Sequence, residues 1–249
     1  MIWALHGFLG DGEDWAFLRR PMGQLGLTIV SPSLFAADAD GDDAALRIDP
    51  AGESIEQWAD RFVQVVRDCD SAPILAGYSL GGRLALQSLI RHPEVFRAAM
   101  IVSAGLGIEE ALEREKRRAS DREWALRFER DRWTELLNDW NGQPLLRHSV
   151  AFERVESAFD RRRLAAALRA WSPAVQMPLA SHLPHLETTV LWVAGEWDET
   201  YANIAISAAR SMAGASSWIC PDSGHRVVGE QPGLLAKRLV KFLKEAVIE

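Results

Sequence analysis

Short apolar runs punctuate the chain at residues 2–5, 27–30, 73–76, 98–102, 189–194 and 217–220, bounded by Gly, Pro, Ser or Asp. They are continuous rather than alternating, which is the pattern of parallel strands covered on both faces. Helical patterns lie between them. Residues 54–68 open on Ser54, a candidate N-cap, and carry Ile55, Trp58, Phe62 and Val65 at helical spacing. Residues 83–91 form a second such stretch. Strands alternating with helices predict an α/β fold built on a mostly parallel, doubly wound sheet.

The alternation breaks between about 108 and 183. That stretch carries several amphipathic helical patterns but no strand, and ends in a segment rich in Pro and His (Pro173, Pro178, His182, Pro184, His185). From residue 106 to residue 180, thirteen arginines and one lysine face thirteen acidic residues, whereas the whole chain carries a net charge of -7. The segment therefore differs in charge balance from the rest of the chain. Because the strand pattern resumes at 189, it reads as a helical lid inserted into one domain spanning 1–249.

Composition narrows the function classes. At 249 residues, 48% hydrophobic and 25% charged, the chain is an ordinary globular sequence able to bury a core without staples. The negative charge argues against a nucleic-acid partner, which would require a basic surface. The two cysteines, Cys69 and Cys220, form no disulfide framework and suit a reducing compartment. Residues 1–5 are too short for a secretory leader, and no apolar run approaches membrane-spanning length. The expectation is a cytoplasmic protein with no membrane partner.

The chemistry centres on Gly77-Tyr78-Ser79-Leu80-Gly81-Gly82, between the apolar run 73–76 and the helical Arg83-Leu84-Ala85-Leu86. G-x-S-x-G between a strand and a helix is a nucleophile elbow, which presents the Ser79 hydroxyl at a helix N-terminus where negative charge is favoured. The spacing fits neither G-x-G-x-x-G nor a P-loop, so a phosphate-binding turn is the weaker reading.

A serine hydroxyl is inert until a histidine accepts its proton and an acid orients that histidine. The elbow's partners follow in the order acid, then His. Asp198 closes Gly195-Glu196-Trp197-Asp198 after the run 189–194, and His225 closes Asp222-Ser223-Gly224-His225 after the run 217–220. Both lie just beyond strand ends, where sites gather in open α/β sheets. Glu196 and Asp222 compete with Asp198, but Asp222 is too near His225 in sequence to reach its far ring nitrogen. His92 reads as structural, and His148, His182 and His185 belong to the insertion.

His6-Gly7-Phe8-Leu9-Gly10 follows the first run, so the backbone N–H groups of Phe8 and Leu80 are the candidate oxyanion hole. No His/Cys/Asp grouping has metal-ligand spacing, and neither a metal nor another cofactor is expected.

The HGFLGD, GYSLGGR, GEWD and SGH stretches resemble the α/β-hydrolase superfamily over nearly the whole chain. Within the insertion, residues 115–124, Arg127-Phe128, and Asp139-Trp140 through Gln143-Pro144 resemble the lid of the 2-succinyl-6-hydroxy-2,4-cyclohexadiene-1-carboxylate synthases of menaquinone biosynthesis. That resemblance implies a lyase that eliminates pyruvate from a polycarboxylate small molecule, with Ser79 acting as a base. It further implies that Arg83, Arg117 and Arg169 clamp carboxylates while Tyr78 and Trp140 shape the pocket. Arginine forks suit carboxylates, though most insertion arginines, beside thirteen acids, are expected on solvated helix faces. The alternatives are a carboxylesterase or a carbon–carbon bond hydrolase of the same fold, because fold does not fix chemistry. A non-catalytic binding protein of this fold ranks lower, since all three triad residue types are present.

Overall fold

The computed structural model describes residues 1–37 and 44–246. Six strands, β1 (Ile2–Leu5), β2 (Ile29–Val30), β3 (Ile74–Tyr78), β4 (Ala98–Val102), β5 (Thr189–Gly195) and β6 (Ala215–Cys220), form one sheet in the order β2-β1-β3-β4-β5-β6. Every pairing is parallel. Each predicted run falls on a strand. The run at 27–30 yields only two paired residues because β2 lies on the sheet edge and is half-exposed.

Alternate residues of the buried strands point to opposite layers. Trp3, Leu75, Ile101 and Trp192 pack in one layer, and Ile2, Ile74, Met100 and Leu191 in the other. Helices α2 (Ile55–Cys69), α3 (Leu80–Arg91) and α7 (Glu199–Ser211) supply apolar side chains to the first layer. The second layer is completed by α9 (Pro232–Ala246), Met22 of α1 (Arg19–Gly23), and Val227 and Val228 of the short α8 (Val227–Glu230). A capping box opens α2: the Ser54 hydroxyl accepts from the Gln57 N–H at 3.2 Å, and the Gln57 side chain accepts from the Ser54 N–H at 2.9 Å. His92 ends α3, where it meets Asp60 at 2.7 Å.

Between β4 and β5 lie α4 (Ala111–Arg130), α5 (Trp133–Asn141), α6 (Arg161–Ala170) and a 3-10 turn, Ala180–His185, that holds both histidines of the Pro/His segment. Helix α4 is polar on most of its surface and buries only Asp121, Ala125 and Phe128. Pairs three and four residues apart run along it, Lys116–Glu113, Arg118–Glu115, Arg117–Asp121 and Arg127–Asp131. Such pairs support a helix by a few tenths of a kcal/mol each, roughly 0.2–0.5, so docking on α6 through Phe128, Leu164, Ala165 and Leu168 carries the main burden. No helix among the described residues is long and apolar enough to cross a membrane.

Candidate active site

The β3–α3 turn is dictated by its glycines. A Cβ on Gly77 would collide with the Gly81 carbonyl, and one on Gly81 with the Leu5 carbonyl of β1. Only glycine lets α3 start this close to the sheet. Ser79 then sits at φ 52, ψ -110, a left-handed geometry costing a side-chain-bearing residue on the order of 1–3 kcal/mol. Its N–H donates to the Val102 carbonyl at 2.8 Å, and its carbonyl accepts from the Arg83 N–H at 3.1 Å. Both ends of the strained residue are thereby held.

The loops after β5 and β6 lie back to back. Glu196 N–H donates to the Cys220 carbonyl and Trp197 N–H to the Ser223 carbonyl, each at 2.9 Å, and a Cβ on Gly195 would strike the Gly224 carbonyl. This contact brings Asp198 and His225 together. His225 Nδ1 lies 2.7 Å from Asp198 Oδ2, and Nε2 lies 3.0 Å from Ser79 Oγ. In the tautomer this demands, Nδ1–H donates to Asp198 and Nε2 accepts from the serine. Asp198 and His225 are both buried. Of the competing acids, Glu196 is engaged elsewhere, accepting from the Asp222 N–H at 3.1 Å, and it is the Asp198 carboxylate that meets His225 Nδ1.

Ser79 and His225 open into a cavity of about 360 Å³ beneath the inserted helices, within the range of small-molecule sites. Phe8, Tyr78, Leu80, Arg83, Arg117 and Trp140 all line it. Trp140 packs on Phe8 at 4.8 Å and on Phe128 at 5.4 Å between centroids, so the α5 aromatic roofs the loop that carries Phe8. Arg83 is buried and donates from Nη1 to Gln176 Oε1 at 2.9 Å, a neutral partner. Burial, reinforced by the nearby Arg117 charge, lowers its pKa to about 10. Arg117 is half-exposed, and its Nε donates to both oxygens of buried Asp121 at 2.8 and 2.9 Å. Burial holds the Tyr78 phenol above its ordinary pKa, so it stays a donor.

Arg169 departs from the sequence expectation. The structure does not bring it to this cavity. Its Nη1 pairs with Glu129 Oε1 at 2.6 Å, in an outer groove lined also by Arg118 and Arg122. Its position near the C-terminal end of α6 aims it across at α4, and a local carboxylate captures it.

Polar residues at the cavity that the sequence did not single out include Tyr201, Arg226 and, through Arg83, Gln176, and Asp121 entered only as part of the 115–124 stretch. Tyr201 packs edge-on against the His225 ring at 4.7 Å. Arg226 follows His225 directly, and that adjacency was the available signal. His6 also carries a structural task. Its Nδ1–H donates to the Gly7 carbonyl at 2.8 Å and its Nε2 accepts from the Leu34 N–H at 2.9 Å, so the buried ring shapes the Phe8 loop. Burial lowers its pKa, consistent with the neutral tautomer those bonds require. Among the described residues, no group of three or more His, Cys, Asp or Glu side chains is arranged to hold a metal ion.

This parallel sheet, elbow and strand-end placement define an α/β-hydrolase architecture, and residues 4–238 match the Alpha/beta hydrolase family. The chain belongs to that family. It is 28% identical, over 96% of its length and 92% of the relative's, to the 2-succinyl-6-hydroxy-2,4-cyclohexadiene-1-carboxylate synthase of Escherichia coli O1:K1 / APEC. The same figures hold for the synthase of Salmonella paratyphi C (strain RKS4594). Among solved structures, MenH from S. aureus superimposes with a TM-score of 0.85 at 21% identity, covering 98% of this chain and 93% of that one. A malate-bound thermophilic esterase from Thermogutta terrifontis superimposes with a TM-score of 0.78 at 17% identity, covering 98% and 89%. These two structural likenesses speak to the fold alone.

Proposed function

We propose that the protein is a carbon–oxygen lyase. It eliminates pyruvate from 2-succinyl-5-enolpyruvyl-6-hydroxy-3-cyclohexene-1-carboxylate to give 2-succinyl-6-hydroxy-2,4-cyclohexadiene-1-carboxylate, the product for which its sequence relatives are named. The observation that carries this reading is the pair of guanidinium groups, Arg83 and Arg117, converging on the cavity into which Ser79 opens. A site for a simple ester has no use for a buried cation facing only a neutral amide, whereas a polycarboxylate does.

In this mechanism Ser79, Asp198 and His225 act as a triad. His225 Nε2 draws the proton from Ser79 Oγ while Asp198 stabilises the imidazolium. The serine oxygen then takes a ring proton from the substrate. The C–H electron pair forms the new ring double bond, and the carbon–oxygen bond to the enolpyruvyl group breaks. The leaving group departs with the electron pair of that carbon–oxygen bond as pyruvate enolate and takes up the proton held by the triad. Charge developing on the substrate carbonyl oxygen is received by the backbone N–H groups of Phe8 and Leu80. Arg83 and Arg117 hold carboxylates, and Tyr78 and Trp140 set the walls. The inserted helices serve as the lid of one domain. No step calls for a metal or other cofactor, and the unpaired thiols of Cys69 and Cys220 accord with a cytoplasmic setting.

The alternative is a serine hydrolase, because the same triad distances serve ester cleavage. The test is to incubate the protein with the enolpyruvyl precursor and follow pyruvate, in parallel with a nitrophenyl ester. Pyruvate release well above ester turnover is expected. Rapid ester turnover without pyruvate would overturn the lyase reading.

A further inference from the structure

Arg226 is a buried arginine, 6% exposed, on the wall of the Ser79 cavity. Its side-chain partners are all neutral. Nη1 donates to the Val150 carbonyl at 2.8 Å and Nη2 to Asn141 Oδ1 at 2.6 Å, and the guanidinium lies 5.0 Å from the Phe152 ring centroid. The acid of the short helix that follows, Glu230, makes no ion pair with it: Oε1 accepts from the Val150 N–H and Oε2 from the Gly224 N–H, so its charge acts on Arg226 only from a distance. No carboxylate among the described residues lies within ion-pair distance of Arg226. A buried charge without a counter-ion in contact is costly, and a guanidinium bonded to Val150, Asn141 and Tyr78 still has N–H donors left of its five for a ligand. The Tyr78 phenol, itself on the cavity wall, lies beside it.

We propose that Arg226, and not Arg169, is the third carboxylate-binding residue of this site, taking a substrate carboxylate on the triad side of the cavity. Arg83 and Arg117 reach the cavity from α3 and α4, whereas Arg226 enters from the His225 loop. The three cations therefore come from three elements, an arrangement suited to a ligand with separated carboxylates. The assignment rests on the polycarboxylate reading for the identity of the anion, but not for the binding of one.

The experiment titrates 2-succinylbenzoate, a stable aromatic dicarboxylate, and its uncharged diamide into the full chain by calorimetry. Wild type is expected to prefer the dicarboxylate. Arg226→Gln should weaken dicarboxylate binding by about ten- to a hundredfold, as for a lost charge-assisted bond, while shifting the diamide by less than about threefold. Arg169→Gln should match wild type. Equal losses for both probes would mean that Arg226 merely ties Val150 and Asn141 in place, and would overturn the proposal. So would an unchanged dicarboxylate affinity, or no dicarboxylate binding by wild type. If the glutamine variant does not fold, Arg226→Lys is read by the same selectivity: a loss confined to the dicarboxylate supports the assignment, and a shared or absent loss overturns it. Pyruvate release separates the two proposals. Dicarboxylate binding lost in Arg226→Gln from a protein that releases no pyruvate sinks the lyase reading alone. Unchanged binding in that variant, from a protein that does release pyruvate, sinks the Arg226 assignment alone.

Discussion

Two hollows flank the inserted helices, and each is lined by three arginines. The inner one, over Ser79, holds Arg83, Arg117 and Arg226, and the outer one holds Arg118, Arg122 and Arg169. Their difference lies in the partners. In the outer groove Arg118 is paired with Glu115 and Arg169 with Glu129, all at least partly solvated. In the inner cavity Arg83 and Arg226 are buried against amides and carbonyls, and only Arg117 has a carboxylate, Asp121. A count of arginines does not distinguish these regions; a count of their counter-ions does. An exposed, paired arginine contributes little, whereas a buried, unpaired one creates a demand for an anion.

The largest effect should come from breaking the chemistry of the inner cavity. Ser79→Ala is expected to lower pyruvate release by roughly three orders of magnitude or more, as triad deletions do. The variant should still bind 2-succinylbenzoate with near wild-type affinity, since the cations remain. Loss of binding together with turnover would show that the serine holds the cavity open, which the contrast between catalytic and binding groups forbids.

Next in size is Arg83→Gln, which removes a buried charge facing only Gln176. The kcat/KM for the polycarboxylate should fall about a hundredfold, on the scale of one charged contact made and one buried group left unpaired. Turnover of a nitrophenyl ester should fall less, and a parallel loss on both substrates would dissolve the distinction drawn between the two hollows.

The pH dependence has a definite sign. Burial and the neighbouring Arg117 set the Arg83 pKa at about 10, well below that of a free guanidinium. A bound carboxylate favours the charged form. Dicarboxylate affinity should therefore be level from neutral pH to roughly 9 and fall as pH rises through about 10. The ligand-free protein should behave oppositely, because in the window above about 10 the unfolded chain still holds the proton that the folded chain has released. Its stability therefore rises across that window. Chemical denaturation and calorimetry across this range check both signs.

The sheet was legible because its constraints are local and repetitive. Continuous apolar runs mark buried parallel strands, and glycines at 77, 81 and 195 mark places where backbones meet. The strand ends alone thus pointed to Ser79, Asp198 and His225, which the structure brings within hydrogen-bond distance of one another. The cavity wall was less legible because side-chain direction on α4 and α6 depends on which acid lies within reach. Nothing in the spacing says that Glu129 captures Arg169 while Arg83 meets only an amide. Arg226 was hidden for a different reason: its neutrality of environment arises from Val150 and Asn141, more than seventy residues away.

The smallest effect tests the other side of the comparison. Arg169→Gln removes a guanidinium whose Nη1 already meets Glu129 Oε1, with both side chains partly in water. Water and salt screen such a pair, so stability should change by less than about 1 kcal/mol. Pyruvate release and dicarboxylate affinity should stay within about twofold of wild type, a shift of less than half a kcal/mol. The variant does leave the Glu129 carboxylate without its partner, whose bond now holds that group below its ordinary pKa. Its titration should consequently move up toward the usual carboxylate range, visible by NMR, with no change at the triad. A tenfold loss of dicarboxylate affinity in this variant would mean that the α6 arginine swings inward when ligand binds. The counter-ion rule would then describe only the empty cavity.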